Sequence, residues 1–202
     1  MLATADLLDA AIRVVTRDGL GALTLDGVAR EAGVSKGGLT HHFATKDALV
    51  TAMLEHFAQR LIREVDRFAA DDPELAGRRV RAMMKVGHPE LRGDVAPADS
   101  KQASEAQQLF YAAIAAAVVN PKLLEPLKQH AEGLRQRMLQ QPSDGLWQII
   151  IWLALDGLML WKLLGLMSQD DPMHGEVLQF LYGLSSCPPM TETAEEVQYA
   201  RN

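Results

Sequence analysis

Apolar residues recur at spacings of three and four along most of this chain, and few stretches show the two-residue alternation of a half-buried strand. That periodicity restricts the chain to packed helices, so the fold class read from the sequence is all-α. Proline and glycine punctuation divides the 202 residues into about nine helices. The first shows Leu8, Ala11, Ile12 and Val15 at i, i+3, i+4 and i+7, then stops at Gly19, which suits a left-handed helix end. Loop signals follow at Asp71-Asp72-Pro73, His88-Pro89, Asn120-Pro121, Gln141-Pro142-Ser143, Asp171-Pro172 and Cys187-Pro188-Pro189. A chain of this length buries roughly 70% of its unfolded surface, enough for one large domain or two small ones.

Between Thr24 and Leu49 a Thr or Ser stands three times where it can accept from the free amides that open a helix. Each is flanked by an apolar pair five apart that staples the entry: Leu23 and Val28 around Thr24, Val34 and Leu39 around Ser35, Ala44 and Leu49 around Thr45. Two short helices result, over residues 25–32 and 36–42, with a long helix starting at Lys46. Gly33 lies at the break, where a tight turn demands positive φ.

Two short helices joined this way form a helix-turn-helix, whose second helix is sized for the major groove of duplex DNA. Val28, Ala29, Ala32, Val34, Leu39 and Phe43 face inward. Ser35, Lys36, Gly37, Thr40 and His41 are left on the outer face. Helix-opening amides and a nearby Lys suit phosphate, and the bare Gly37-Gly38 backbone permits close approach to the groove. Adjacent helical residues diverge by about 100°, so His41 and His42 do not converge on a metal.

The run from Gly33 to Leu49, GVSKGGLTHHFATKDAL, resembles the signature of TetR-type transcriptional regulators, and the preceding Leu23-Thr24-Leu25-Asp26-Gly27-Val28-Ala29 resembles the family's entry into that motif. The similarity covers roughly the first 60 residues. It implies a three-helix DNA-binding domain over residues 1–47 and a larger helical ligand-binding and dimerisation domain over 48–186, and the residues themselves read as a polar tail over 187–202. It further implies a homodimeric repressor of a palindromic operator in double-stranded DNA, released by a small-molecule effector. Carried over by position, Thr24 and Lys46 would hold backbone phosphates, and Ser35, Lys36, Gly37, Thr40, His41 and His42 would lie on or beside the recognition helix. Thr40 stands where the family commonly has an aromatic residue, and Gly38 where Thr, Ala or Ser is usual.

Charge supports a local nucleic-acid face inside an acidic chain. The formal net charge is −6, yet residues 28–46 carry Arg30, Lys36 and Lys46 against Glu31 alone. The acidity concentrates at the far end, where residues 168–202 hold six carboxylates against Arg201.

A helix expected from about Ser143 to Leu166 is apolar around most of its circumference, so it is either the centre of a large core or is covered by another subunit. A second apolar helix, with Leu178 and Leu181, suits pairing with it. Two such helices from each of two subunits make a four-helix dimer interface, with Trp147, Ile150, Leu153, Gly157, Trp161, Leu164, Leu178 and Leu181 as its residues. Gln148, Asp156 and Lys162 interrupt the segment and argue against a membrane span. Asp156 is expected to be hydrogen-bonded rather than catalytic. Among the middle helices, Met83, Met84, Phe110, Tyr111, His130 and Met138 mix flexible apolar and polar groups fit for a pocket taking a mostly apolar molecule. His88, beside Pro89, is expected in solvent.

Catalysis finds no support: the sequence holds no nucleophile elbow, phosphate loop, zinc spacing or paired carboxylates. No cofactor and no metal is expected. The single cysteine, Cys187, excludes an internal disulfide, and with no signal-peptide pattern at the start the expectation is a cytoplasmic protein. The alternative reading is a helical dimer that binds a small molecule or protein without binding an operator.

Overall fold

The computed structural model describes residues 3–92, 109, 112, 120–141, 144–168 and 171–187. Eight α-helices and no strand lie among them, as the helical periodicity requires. They are α1 (Thr4–Asp18), α2 (Leu25–Ala32), α3 (Lys36–His42), α4 (Lys46–Ala70), α5 (Arg78–Gly87), α6 (Glu125–Leu139), α7 (Gly145–Leu163) and α8 (Pro172–Ser185). The chain forms two compact units, one from Met1–Glu64 with Val86–Gly133 and the other from Val65–Lys85 with Leu134–Asn202. The first crossing between them falls inside α4, and later ones fall inside α5 and α6.

The reason lies in the core of the first unit. One face of α1 buries Leu7, Leu8, Ala11, Ile12 and Val15, and the first half of α4 adds Leu49, Val50, Met53, Leu54 and Phe57 to the same cluster. Each fully buried Leu or Met contributes about 1.5–3 kcal/mol, so these α4 residues are inseparable from the three helices before them. A polar link reinforces the packing: His56 Nε2 of α4 lies 3.0 Å from Asp9 Oδ1 of α1.

The second unit is organised around a buried arginine. Arg81 of α5 is 3% exposed, and its Nε and Nη2 donate to the two carboxylate oxygens of Asp72 at 2.8 and 3.1 Å. Nη2 also donates to the Glu74 carbonyl at 2.7 Å, and Nη1 to the Ser185 carbonyl at the end of α8 at 3.0 Å. Beside it, the Gly77 amide donates to Asp144, which also accepts from Gln148 Nε2 of α7 at 3.0 Å. Gly77 has φ +67°, and a Cβ there would stand 1.8 Å from the Ser185 carbonyl oxygen, so no other residue fits this crossing. Burial would raise the Asp72 carboxyl, but the bonds from Arg81 and the Glu74 amide outweigh it and hold it below its ordinary range. Its contribution to stability is therefore present at neutral pH and lost as pH falls through that depressed value.

The helix α7 has two unlike faces. Gly145, Gln148, Ile151, Leu155 and Leu158 are buried within the chain. The opposite stripe is open: Leu146 is 67% exposed, Leu153 63% and Leu164 61%, with Ile150, Leu160 and Trp161 also exposed. Asp156 accepts a hydrogen bond from Trp152, and burial nevertheless pushes its carboxyl up to about 6. A raised carboxyl stabilises the fold below its unfolded value of 3.8 and withdraws that support as pH rises through about 6. Asp156→Asn is accordingly expected to gain about 1–2 kcal/mol at pH 8, after discounting for partial solvent contact, and close to nothing at about pH 3. Denaturant unfolding at the two pH values measures this, and an equal effect at both would refute it.

Candidate nucleic-acid interface

The three cap residues act as their spacing predicts. Thr24 Oγ1 accepts from the Gly27 amide at 3.0 Å, Ser35 Oγ from the Gly38 amide at 3.1 Å, and Thr45 Oγ1 from the Ala48 amide at 3.1 Å. Between α2 and α3, Gly33 adopts the left-handed region at φ 69° and ψ 28°. The next amide, Val34, reaches back to the Ala29 carbonyl at 2.9 Å and closes the end of α2. Leu39 and Phe43 are buried in the same cluster as residues of α1 and α4, and Val28 and Ala29 anchor α2 in it, while the other side of α3 stays exposed.

Ser35, Lys36, Gly37, His41, His42 and Lys46 are exposed as expected, and Thr40 is half-buried. A Cβ at Gly37 would meet only Ser35 Oγ at 4.0 Å, so the backbone is open on that side. Thr40 donates its hydroxyl to the Gly37 carbonyl at 3.2 Å and so turns back on its own helix. Lys46 Nζ lies 3.4 Å from the Leu20 carbonyl, Lys36 Nζ 2.9 Å from Asp26 Oδ2, and His42 Nδ1 3.3 Å from the Thr4 hydroxyl. Thr4 and Asp26 thus join the face without having been expected there as site residues. Asp26 lies inside the quoted motif, but only the fold brings Thr4 across 38 residues.

Glu31, the one carboxylate between Val28 and Lys46, does not oppose this face. Arg17 Nη1 and Arg13 Nε of α1 donate to its two oxygens at 2.9 and 3.0 Å. These bonds, that from Arg17 first, hold its carboxyl below the ordinary range. No group of three or more metal-ligating side chains occurs among the described residues.

The other expected sites are distributed differently. Met84 and Met138 are fully buried in the second unit, and Met83 is half-buried there. His130 and His88 belong to the first unit; both are half-buried, so His88 is not the solvated loop residue expected. Phe110 and Tyr111 lie outside the described residues. Of the residues expected at a dimer interface, Ile150, Leu153, Trp161 and Leu164 are exposed, and Gly157 is half-buried on the same stripe. Leu178 and Leu181, however, are 1% and 8% exposed within the single chain, because the inner face of α8 packs into the chain's own core. The open side of α8 instead presents Met173 and Phe180. Trp147 is half-buried and donates its indole N–H to the Leu184 carbonyl at 3.1 Å.

A capped short helix, a left-handed glycine and a second short helix with a polar open face define the class of helix-turn-helix regulators. Residues 7–53 match the model for bacterial regulatory proteins of the tetR family, and residues 77–186 match a tetracyclin repressor-like C-terminal domain. The HTH-type transcriptional regulator BetI of Burkholderia thailandensis is 34% identical over 80 residues, which span 40% of this chain and 41% of that protein. The match thus covers about two-fifths of the length of such curated relatives. Among solved structures, the multidrug binding protein EbrR complexed with imidazole is 30% identical with a TM-score of 0.61, over 90% of this chain and 96% of that one. A transcriptional regulator from Rhodococcus sp. Rha1 shares the fold, with a TM-score of 0.67 at 21% identity over 90% of this chain and 95% of that one. The chain belongs to the tetR family of bacterial regulatory proteins, a class of transcriptional regulators and not of enzymes.

Proposed function

We propose that the chain is a homodimeric repressor that binds a palindromic operator through α3 and is released by a small-molecule effector. The carrying observation is the open face of α3, set on a rigid core by three side-chain caps and the Gly33 turn. Ser35, Lys36, Gly37, Thr40, His41 and His42 read or flank the groove, while Thr24 and Lys46 meet phosphates at either side.

Dimerisation is supported by the α7 stripe. At 19 residues and mean hydropathy 1.4, α7 is long and apolar enough to cross a membrane. Its inner face, however, carries the fully buried Gln148, whose Oε1 lies 3.4 Å from the Val80 amide. An inner face built on polar bonds to its own chain and an outer apolar stripe fit a protein partner better than lipid. The same helix of a second copy matches it by symmetry. The effector reading is supported by EbrR, whose structures hold ethidium, proflavin and malachite green. These are aromatic cations and the first probes to use here, with Met83, Met84 and Met138 of the second unit as proposed contacts. The helix α4, shared by both compact units, is the proposed carrier of the signal between effector and DNA. A DNA-binding regulator of this kind would work in the cytoplasm.

Salt-dependent gel shifts on DNA upstream of the chain's own coding region test the reading. Lys46→Ala is expected to weaken binding to every sequence and to lower the salt slope by about one per bound chain. An unchanged slope removes Lys46 from the phosphate contacts. Binding with no sequence preference at any salt would instead favour a helical ligand- or protein-binding dimer without an operator.

A further inference from the structure

The part of α4 that lies in the second unit is lightly packed. From Val65 to Ala70 only Val65 and Ala69 are buried, against five large apolar residues that α4 gives to the core of the first unit. Asp66, between those two, is held from two other helices of its own unit. Arg79 Nη1 of α5 donates to its Oδ1 at 2.9 Å, and Arg137 Nη1 of α6 lies 3.7 Å from its Oδ2. Past the end of α4, the buried Arg81 holds Asp72.

A helix pinned at one end can still swing about that point, and a second attachment fixes its direction. Asp72 supplies the first. The Asp66 carboxylate, one oxygen turned to α5 and the other to α6, supplies the second. A shift of α5 and α6 then carries α4 along, because an α4 that stayed behind would break both contacts. An effector can weaken DNA binding by no more than the free energy that ties the two responses together, and these contacts are part of it. We propose that Asp66 is a positioning residue that makes α4 follow α5 and α6 and so passes the effector's signal to the DNA end of α4. The inference rests on the effector and DNA-binding readings above.

The test compares full-length wild type, Asp66→Ala, Arg79→Gln and the double variant on a duplex selected by the wild type from a randomised pool, with and without saturating malachite green. Any direct effect of the dye on the duplex is common to all four proteins and cancels. Because α4 stays matched to α5 and α6 when either ligand binds alone, Asp66→Ala is expected to leave DNA affinity without dye, and dye affinity without DNA, within about twofold of wild type. With both present, the factor by which the dye weakens DNA binding is expected to shrink about fivefold per chain, the worth of a partly exposed pair. Arg79→Gln shrinks it similarly, and the double variant goes no further than Asp66→Ala alone. An undiminished factor in Asp66→Ala would overturn the proposal, as would a smaller one accompanied by an equal loss of DNA affinity in the absence of dye, which a purely structural role would produce. A wild type whose tryptophan fluorescence shows no dye binding would overturn the effector reading, and one from which no selected duplex emerges the DNA-binding reading, and this inference with either.

Discussion

Arg81→Met is expected to destabilise the second compact unit by about 3–5 kcal/mol, the largest stability effect of any single substitution considered. The loss does not come from the pair's attraction as such. Removing the guanidinium leaves the Asp72 carboxylate, 7% exposed, with its charge uncompensated, and frees the Glu74 and Ser185 carbonyls that Arg81 now satisfies. A domain's whole stability is typically about 5–15 kcal/mol, so this change approaches unfolding. All three tryptophans, Trp147, Trp152 and Trp161, belong to the second unit, so their fluorescence during denaturant unfolding reads it selectively. Replacing both partners, Arg81→Met with Asp72→Leu, is expected to recover much of the loss, since no buried charge then remains. A loss below about 1 kcal/mol in the single variant would mean that solvent reaches Asp72.

Leu153→Arg is expected to give a folded monomer that has lost operator binding by at least about a hundredfold. At 63% exposure in the single chain, the arginine can extend into water, so the protomer keeps its fold. In the proposed dimer the same position is covered, and burying two unpaired cations across a two-fold axis is prohibitive. One recognition helix holding a single half-site loses the gain in effective concentration that the second supplies. Sedimentation velocity reports the subunit state and a gel shift the binding. A dimer that survives the substitution would move the interface away from the α7 stripe.

Legibility in the sequence followed the range of the interactions involved. Caps, staples and the left-handed turn act within about five residues, so Thr24, Ser35, Thr45 and Gly33 could be placed from neighbours alone, and the structure bears each out. The exposed side of α3 follows from the same local register. Where a side chain's partner is distant in sequence, the reading was incomplete. Leu178 and Leu181 looked suited to an interface, but the chain's own core takes them up. The buried Arg81 cluster, which ties α5 to the last turn of α8, left no local pattern: an arginine among polar neighbours resembles a solvated helix position until the fold encloses it.

Periodicity and caps alone therefore determined the helical class and the position of α3, because a helix repeats every 3.6 residues and its ends are satisfied by adjacent side chains. Only the tertiary structure decided which apolar residues the chain keeps for itself and which it leaves open, because that depends on which helix faces pack together. It also decided which charges near α3 are engaged: Glu31 by α1, and Lys36 by Asp26. The net charge of the motif could be counted from its letters, but the partners of those charges are fixed by distances of about 3 Å that only folding creates.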